Sequence, residues 1–215
     1  MPEIIKKNWD VIFVLGIGLV LAIAGILGLT GIMVVPSPAS ADVTSTVAVT
    51  ATVQPWLTFS VNPTSVSLSP DLVNTVGVTS IASSSNISLI LGTNSSGGWS
   101  MSIRGANAGL ATSTYDLIES VPLATTTTLT NNGVDYYGAN ATSSLAGANV
   151  QANYGGWGTA AVGAIASTTA QNIFVKTSAN ASTTVGLMKV YAQCDSAQTA
   201  GTYGDTITLT ATAVP

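Results

Sequence analysis

The chain has 215 residues, a formal net charge of −4 at pH 7, no histidine, and charged residues at only 7% of its positions, against about 25% in a typical soluble domain. Nucleic-acid binding is disfavoured, because phosphate contacts need clustered Lys and Arg, and the only cations after residue 10 are Arg104, Lys176 and Lys189. Without histidine the commonest general base and metal ligand is missing, so we expect no catalytic residue, no cofactor and no metal site, and predict that the chain is not an enzyme.

The N-terminal segment has the features of an export signal. Lys6 and Lys7 precede an uncharged apolar run at residues 11–35, and an Ala-Ser-Ala sequence ending at Ala41 follows two prolines. A basic start, an apolar run and an A-x-A site are typical of a secretory signal peptide, which predicts cleavage after Ala41. The alternative is a retained membrane helix, because the run is long enough to span a bilayer core of about 30 Å.

Both interpretations divide the chain at the same place. Residues 1–41 form a signal peptide or N-terminal membrane anchor, and residues 42–215 form an extracellular domain. The lysines stay inside by the positive-inside rule, so we expect the domain at the cell surface. Contact with a membrane is expected only through residues 11–35, and only if they are not removed.

The first stretch of the exported part alternates apolar and hydroxyl side chains from Val43 onward. Alternation at every second residue is typical of a β-strand with one buried face. Pro55 interrupts it, because proline cannot donate to a sheet ladder. The segment before this proline is interpreted either as the first strand of the chain's own sheet or as a strand donated to another copy. Its candidate donor residues are Val47, Val49, Ala51 and Val53.

Similar short patterns recur along the rest of the chain, separated by turn residues. Strands are predicted at Leu57–Val61, Ser65–Leu68, Thr75–Ile81, Ile87–Leu91, Trp99–Arg104, Ile173–Lys176, Thr184–Cys194 and Tyr203–Pro215, with a two-residue hairpin turn at Asn132-Gly133. No helical periodicity occurs after the N-terminal segment. We therefore predict an all-β fold, a single antiparallel β-sandwich of immunoglobulin-like or jelly-roll-like type, preceded by the hydrophobic signal or anchor helix.

Two of these strands supply the predicted core. In the sequence WSMSIRG, the apolar side chains share one face and the serines and arginine share the other. The last strand alternates in the same way, with threonines on its second face. The predicted structural core residues are Trp99, Met101, Ile103, Tyr203, Ile207 and Leu209.

The titratable residues show no catalytic pattern. Asp116 and Glu119 are the closest pair of carboxylates after residue 42. They lie in an irregular stretch, so we expect them to be scattered surface charges that keep the protein soluble rather than a catalytic pair. Cys194 is the only cysteine, so an intramolecular disulfide is impossible, and we expect it to be a small buried residue.

Four aromatic residues cluster in the less regular middle of the chain. They are Tyr136, Tyr137, Tyr154 and Trp157. Exposed rings of this kind can stack on sugars, which makes them candidate glycan contacts. The alternative is that the rings attach long loops to the sandwich.

Two short motifs resemble those of the WxL-domain family of bacterial cell-surface proteins. Trp99 in GWSMSI matches the W-x-L strand, with Met101 at the leucine position. Tyr203, Ile207 and Thr208 match the family's C-terminal strand, in which Leu209 takes the place of a second tryptophan. The resemblance implies an all-β domain attached non-covalently to the cell wall.

The ending A-G-T-Y-x-D-T-I-T is also similar to spore coat protein U domains, and the exported sandwich to camelysin-like fibre subunits. Those resemblances imply that an N-terminal strand can complete the sheet of the next subunit. The main functional hypothesis is a non-catalytic structural or adhesive protein, with envelope components or copies of itself as partners. The alternatives are a filament subunit assembled by strand donation and a carbohydrate-binding module.

Overall fold

The computed structural model describes residues 45–75, 78–113, 116–130 and 132–215. The chain divides into two compact units, Met1–Ala51 and Thr52–Pro215. Only residues 45–51 of the first unit are described, and they have no regular secondary structure. The predicted signal or anchor segment, residues 1–41, lies outside the described residues. Within the described ranges, no helix is long and apolar enough to cross a membrane.

The described part of the second unit is built from strands and one short 3-10 helix at Ala152–Tyr154. The strands are β1 (Leu57–Asn62), β2 (Asn74–Thr75), β3 (Val78–Thr79), β4 (Ile81–Ser83), β5 (Ile87–Thr93), β6 (Trp99–Gly105), β7 (Gly109–Ala111), β8 (Leu117–Glu119), β9 (Thr127–Thr128), β10 (Tyr136–Ser143), β11 (Ala148–Val150), β12 (Ala161–Ala164), β13 (Gln171–Lys176), β14 (Asn180–Gln193) and β15 (Ile207–Ala213).

These strands form two main sheets. The larger has the order β1-β5-β14-β10-β12-β9, with β4 beside β14, and the smaller has the order β11-β13-β6-β15. The pairs β2-β3 and β7-β8 are separate two-stranded ribbons. Every ladder between these strands is antiparallel. The predicted all-β class is confirmed.

The main core joins the two sheets. Leu89 and Leu91 from β5 belong to the same buried cluster as Trp99, Met101 and Ile103 from β6. All five side chains have no exposed surface, because alternation along each strand directs them to one face. The apolar faces of the two sheets therefore pack on each other, in a sandwich-like arrangement.

One glycine allows the close approach of the two sheets. A Cβ at Gly186 in β14 would lie 2.5 Å from the ring of Phe174, which belongs to β13 in the smaller sheet. The pairing of β14 with β5 shifts register next to this glycine, between Thr184 and Gly186. The irregularity and the missing side chain together make room for the buried Phe174 ring.

Several predicted strand features differ in the structure, and one of them is the single strand predicted at Thr75–Ile81, which is replaced by the paired β2 and β3 and by the start of β4. Residues 45–53 are not a strand of the chain's own sheet, so the first of the two interpretations of this segment is wrong, because an isolated strand has no ladder to stabilise it; the donated strand stays a prediction. Ser65–Leu68 is likewise irregular, and only the neighbouring Ser69 forms a bridge, to Ser83. The hairpin at Asn132-Gly133 does not form, since β10 pairs with β14 and β12, and β9 pairs with β12.

The failed hairpin has a clear physical reason. Gly133 has the positive φ of 73° that a tight turn favours, so the local signal is real. However, β10 pairs with β14 over eight residues, from Tyr136 opposite Gln193 to Ser143 opposite Gly186. On its other edge β10 pairs with β12, which lies between β10 and β9, so neither edge of β10 is left for β9.

Candidate functional site: the open edge between β1 and β15

The two main sheets end on the same side of the domain in strands that lack an outer partner. In the described chain β1 pairs only with β5, and β15 pairs only with β6. The two edge strands lie close to each other across the sandwich. An edge strand has a row of unpaired backbone N–H and C=O groups, which can pair with another chain.

Neither edge strand carries the features that usually prevent such pairing. β1 reads LTFSVN and β15 reads ITLTATA, without a charge or a proline. Their ladders to β5 and β6 have no register shift. Charges, prolines and bulges are the common means by which proteins protect an edge. The sequence of these two strands leaves the edge available.

Apolar side chains from both strands line the gap between the sheets. They alternate with exposed polar residues, and each is partly buried against the main core. These side chains are Leu57, Phe59 and Val61 from β1 and Ile207, Leu209 and Ala211 from β15. We call the gap that they line the edge groove.

The edge groove is incompletely filled. A cavity of about 490 Å³ lies among Val61, Val66, Ile87, Met188 and Leu209. A second cavity of about 620 Å³ shares Val66, Asp205 and Ile207 with the first. The connection after β1 fills part of the space, because its Val66, Leu68 and Leu72 pack against the core while remaining partly exposed. Both cavities are clefts open to solvent rather than enclosed voids, so part of the apolar surface of the edge groove is uncovered.

Asp205 fixes the beginning of β15. Its Oδ1 accepts backbone N–H bonds from Ala106 at 3.1 Å, Asn107 at 3.0 Å and Thr206 at 2.8 Å. Its Oδ2 accepts a long hydrogen bond of 3.5 Å from the hydroxyl of the buried Tyr137. Burial raises the pKa of Asp205, although the hydrogen bonds oppose this. Both oxygens thus bond to groups of the protein itself.

Asp116 fixes the chain just before β15. Its Oδ2 accepts hydrogen bonds from the Tyr203 hydroxyl at 2.7 Å, from the Thr199 N–H at 3.0 Å and from the Thr199 hydroxyl. The hydrogen bond from the Thr199 side chain, followed by that from Tyr203, lowers the pKa of Asp116 to about 2. The expectation that Asp116 serves only solubility is wrong. The partners are too distant in sequence for any local pattern to reveal them.

The predicted core residues fall into two groups. Trp99, Met101 and Ile103 are fully buried. Tyr203, Ile207 and Leu209 are partly buried and pack on the core from the edge groove. The tryptophan and tyrosine of the WxL-like motifs therefore stabilise the fold, one in the core and one through Asp116.

Half of the aromatic cluster cannot be a glycan surface. Tyr137 and Tyr154 are each only 1% exposed, and Tyr154 donates a hydrogen bond of 2.7 Å to the carbonyl oxygen of Ala164. Tyr136 packs against the smaller buried cluster, and Trp157 lies under the ammonium group of Lys189 at 5.7 Å. Of the two interpretations, a glycan surface made of all four rings is wrong, because Tyr137 and Tyr154 are parts of the core.

In contrast to the buried tyrosines, the candidate donor residues are strongly exposed. Val47, Val49 and Val53 are 83%, 86% and 80% exposed, and Ala51 is also exposed. A monomeric soluble protein seldom presents several large apolar side chains side by side without a partner. The segment has the alternation of a strand, and its apolar side chains are exposed.

The chain that follows this segment is held at one end of β5. The amide group of Asn94 accepts a hydrogen bond from the Trp56 N–H and donates one to the Gln54 carbonyl oxygen, both at 2.8 Å. Thr93 also donates a 2.8 Å bond to the Trp56 carbonyl oxygen. The C-terminus of β15 reaches the same end, because Ser95 donates a hydrogen bond to the Val214 carbonyl oxygen.

Chemically reactive groups are few in the part of the chain that the structure describes. No three His, Cys, Asp or Glu side chains come together there as metal ligands would. Cys194 is free and buried, as the sequence predicts, and burial raises the pKa of its thiol. Comparison of the chain with protein-family models, curated proteins and solved structures found no match.

Proposed function

We propose that the chain is a non-catalytic structural or adhesive protein of the cell exterior, which associates with other polypeptides or with the cell envelope. The observation that carries this proposal is the uncharged, unpaired edge of β1 and β15 above a partly filled apolar groove. Such an edge favours pairing with another chain.

The hydrogen bonding of the perturbed carboxylates supports a non-catalytic role. Asp116 and Asp205 have shifted pKa values, which often indicate a functional site. Here the oxygens that carry those shifts bond to Thr199, Tyr203, Tyr137 and backbone amides. These carboxylates connect loops to the beginning of β15, which is a structural task.

The N-terminal sequence supports export to the cell surface. The proposal takes residues 1–41 as a signal peptide or anchor and residues 42–215 as an extracellular sandwich of immunoglobulin-like or jelly-roll-like type. Threonine, serine and asparagine without charge are common on such exported β domains. The WxL-like motifs add cell-wall association to the proposal.

Three experiments test this main proposal. Fractionation of producing cells should place the protein in the wall or the extracellular fraction, and protease added to intact cells should degrade it. Recovery of the protein only from the cytoplasm would contradict export. Binding of the purified exported protein to isolated cell walls would then separate wall attachment from self-association.

A second candidate function is a filament subunit assembled by β-strand donation. The specific observation in its favour is the exposure of the alternating residues Val47, Val49 and Val53. Light scattering behind size-exclusion chromatography tests it, because high-mass linear particles are expected from a filament subunit. A monomer at all concentrations would contradict this second candidate and leave the main proposal standing.

A further inference from the structure

The edge groove and the exposed segment before Pro55 match each other in length and in pattern. Residues 45–53 alternate apolar and hydroxyl-bearing side chains with few exceptions and carry no charge. β15 has seven residues, which at about 3.3 Å per residue span roughly 20 Å. The four residues Val47, Val49, Ala51 and Val53 would extend over the same length. They equal in number the inward-facing residues Ile207, Leu209, Ala211 and Ala213 of β15.

We propose that residues 45–53 of a second copy of this chain pair, antiparallel, with the free edge of β15 and extend the smaller sheet by one strand. This inference rests on the strand-donation function proposed above and identifies its acceptor site. The register places Val47 opposite Ala213, Val49 opposite Ala211, Ala51 opposite Leu209 and Val53 opposite Ile207.

Side-chain size selects this register over the parallel one. In the antiparallel register the small Ala51 faces the large Leu209, and Val49 faces the small Ala211. A parallel strand in the same span would place Ala51 opposite Ala211, where two methyl groups leave a void. Well-packed sheets combine large with small side chains. The antiparallel direction also agrees with every ladder described between the strands of this domain.

Charge also permits the pairing. The edge of β15 and the segment 45–53 are both uncharged, so neither carries the lysine that commonly blocks an edge. The hydroxyl groups of Thr46, Thr50 and Thr52 would continue the exposed threonine face formed by Thr208, Thr210 and Thr212 of β15. The added strand would therefore have a solvated outer face and an apolar inner face.

The partner must be a second molecule, because the chain's own Val53 cannot reach the required position. Gln54 and Trp56 are bonded to Asn94 at the end of the domain where β15 finishes, near Ser95 and Val214. The antiparallel register places Val53 opposite Ile207, at the other end of β15. That end lies roughly 20 Å away at the rise of a strand, which one residue of connecting chain cannot span.

Paired cysteines test the contact in the exported full chain, with Cys194→Ala to remove the native thiol. Residues directly opposite in an antiparallel pair have Cα atoms about 4.5–5.5 Å apart, within the range of about 4.4–6.8 Å that a disulfide spans. Under mild oxidation Val47→Cys with Ala213→Cys should give a ladder of covalent oligomers. Val47→Cys with Ile207→Cys, the parallel partner, should stay monomeric. The Val47→Cys and Ala213→Cys single variants should keep the parent's melting midpoint, which shows that the fold is intact, whereas Ile207→Cys truncates a side chain packed on the core and should lower it.

The results separate failure of the acceptor site from failure of strand donation. A ladder from the 47/207 pair alone would overturn the antiparallel register. Absence of a ladder from both pairs, with high-mass particles still present in light scattering, would overturn the groove assignment and leave strand donation possible elsewhere. A monomer by both measurements would overturn strand donation itself.

Matched lysine variants give a second test that does not depend on disulfides. Ala51→Lys would place a charge against Leu209 in the groove, whereas Thr50→Lys would place it on the solvated face. Both residues are exposed in the single chain, so neither substitution should change the melting midpoint. Ala51→Lys should remove the high-mass particles and Thr50→Lys should retain them. Equal assembly by the two variants would contradict the proposal.

Discussion

The hydroxyl of Tyr203 donates a hydrogen bond of 2.7 Å to Oδ2 of Asp116, across 87 positions of sequence. Asp116 immediately precedes β8, and Tyr203 lies a few residues before β15. The bond therefore attaches the start of the last strand to the β7-β8 ribbon. A second contact supports it, because Ala111 and Gly204 exchange two backbone hydrogen bonds of 3.0 and 2.9 Å.

The first prediction concerns acid stability. The pKa of Asp116 is lowered from 3.8 to about 2, so its contribution to stability is fully present above pH 4 and is lost as the pH falls through about 2. Asp116→Asn should lower the melting midpoint at pH 7 and should flatten its decline between pH 4 and pH 2. Thermal melts followed by circular dichroism across this range provide the measurement.

The control for that prediction is Glu119→Gln, which removes an exposed carboxylate from the same ribbon. In this variant the melting midpoint should fall between pH 4 and pH 2 as much as it does in the parent. If Asp116→Asn and Glu119→Gln show the same curve as the parent, the hydrogen bonds to Thr199 and Tyr203 do not stabilise the ionised form.

The second prediction concerns the core tryptophan. Trp99 has no exposed surface, and its Nε1 donates a 2.7 Å hydrogen bond to Oδ1 of Asn180. Trp99→Ala should lower the free energy of unfolding by about 3–5 kcal/mol, as truncation of buried aromatic side chains does. Urea denaturation measures this value. Trp56→Ala is the matched control, since Trp56 is 43% exposed, and an equal loss from both variants would contradict the account.

The third prediction concerns the glycine before that tryptophan. Gly98 has φ of +84°, and a Cβ there would lie 1.9 Å from the carbonyl oxygen of Lys176. Gly98→Ala therefore combines backbone strain with a clash against backbone atoms. Gly133→Ala is the control, because Gly133 has φ of +73° and open space around it. Its cost should be about 1–2 kcal/mol from the left-handed backbone alone, and Gly98→Ala should cost clearly more in the same urea experiment.

The fourth prediction concerns the single thiol. Cys194 is 3% exposed and burial raises its pKa, so the reactive thiolate is scarce at neutral pH. A thiol reagent should label the native protein slowly at pH 7.5 and the urea-unfolded protein rapidly. Labelling of the native protein as fast as that of the unfolded chain would show that Cys194 is accessible.

Local alternation made the all-β class and the inner face of β6 predictable from sequence. It places Trp99, Met101 and Ile103 on one side of a strand, and burial of such a large continuous apolar face is strongly favourable. Alternation says nothing about which strand pairs with which. The prediction of a hairpin at Asn132-Gly133 was wrong for that reason. For the same reason, the positions of β1 and β15 at the edges of their sheets could not be predicted.

The candidate site was predictable in part. Val47, Val49, Ala51 and Val53 show their strand pattern in the sequence, but their exposure depends on the absence of a partner strand in the described chain. The role of Asp116 and the burial of Tyr137 and Tyr154 depend on contacts between residues far apart in sequence. Such contacts are set by the packing of the whole domain, and no spacing rule contains them.

The most direct test of the account compares the exported protein with a variant that lacks residues 45–53, by light scattering behind size-exclusion chromatography and by thermal melting. If residues 45–53 pair with other copies of the chain and not with their own sheet, the parent forms high-mass assemblies. The variant is then a monomer with the parent's melting midpoint. An unfolded variant would show that the segment belongs to its own domain, and a variant that assembles as the parent does would show that the open edge has another partner.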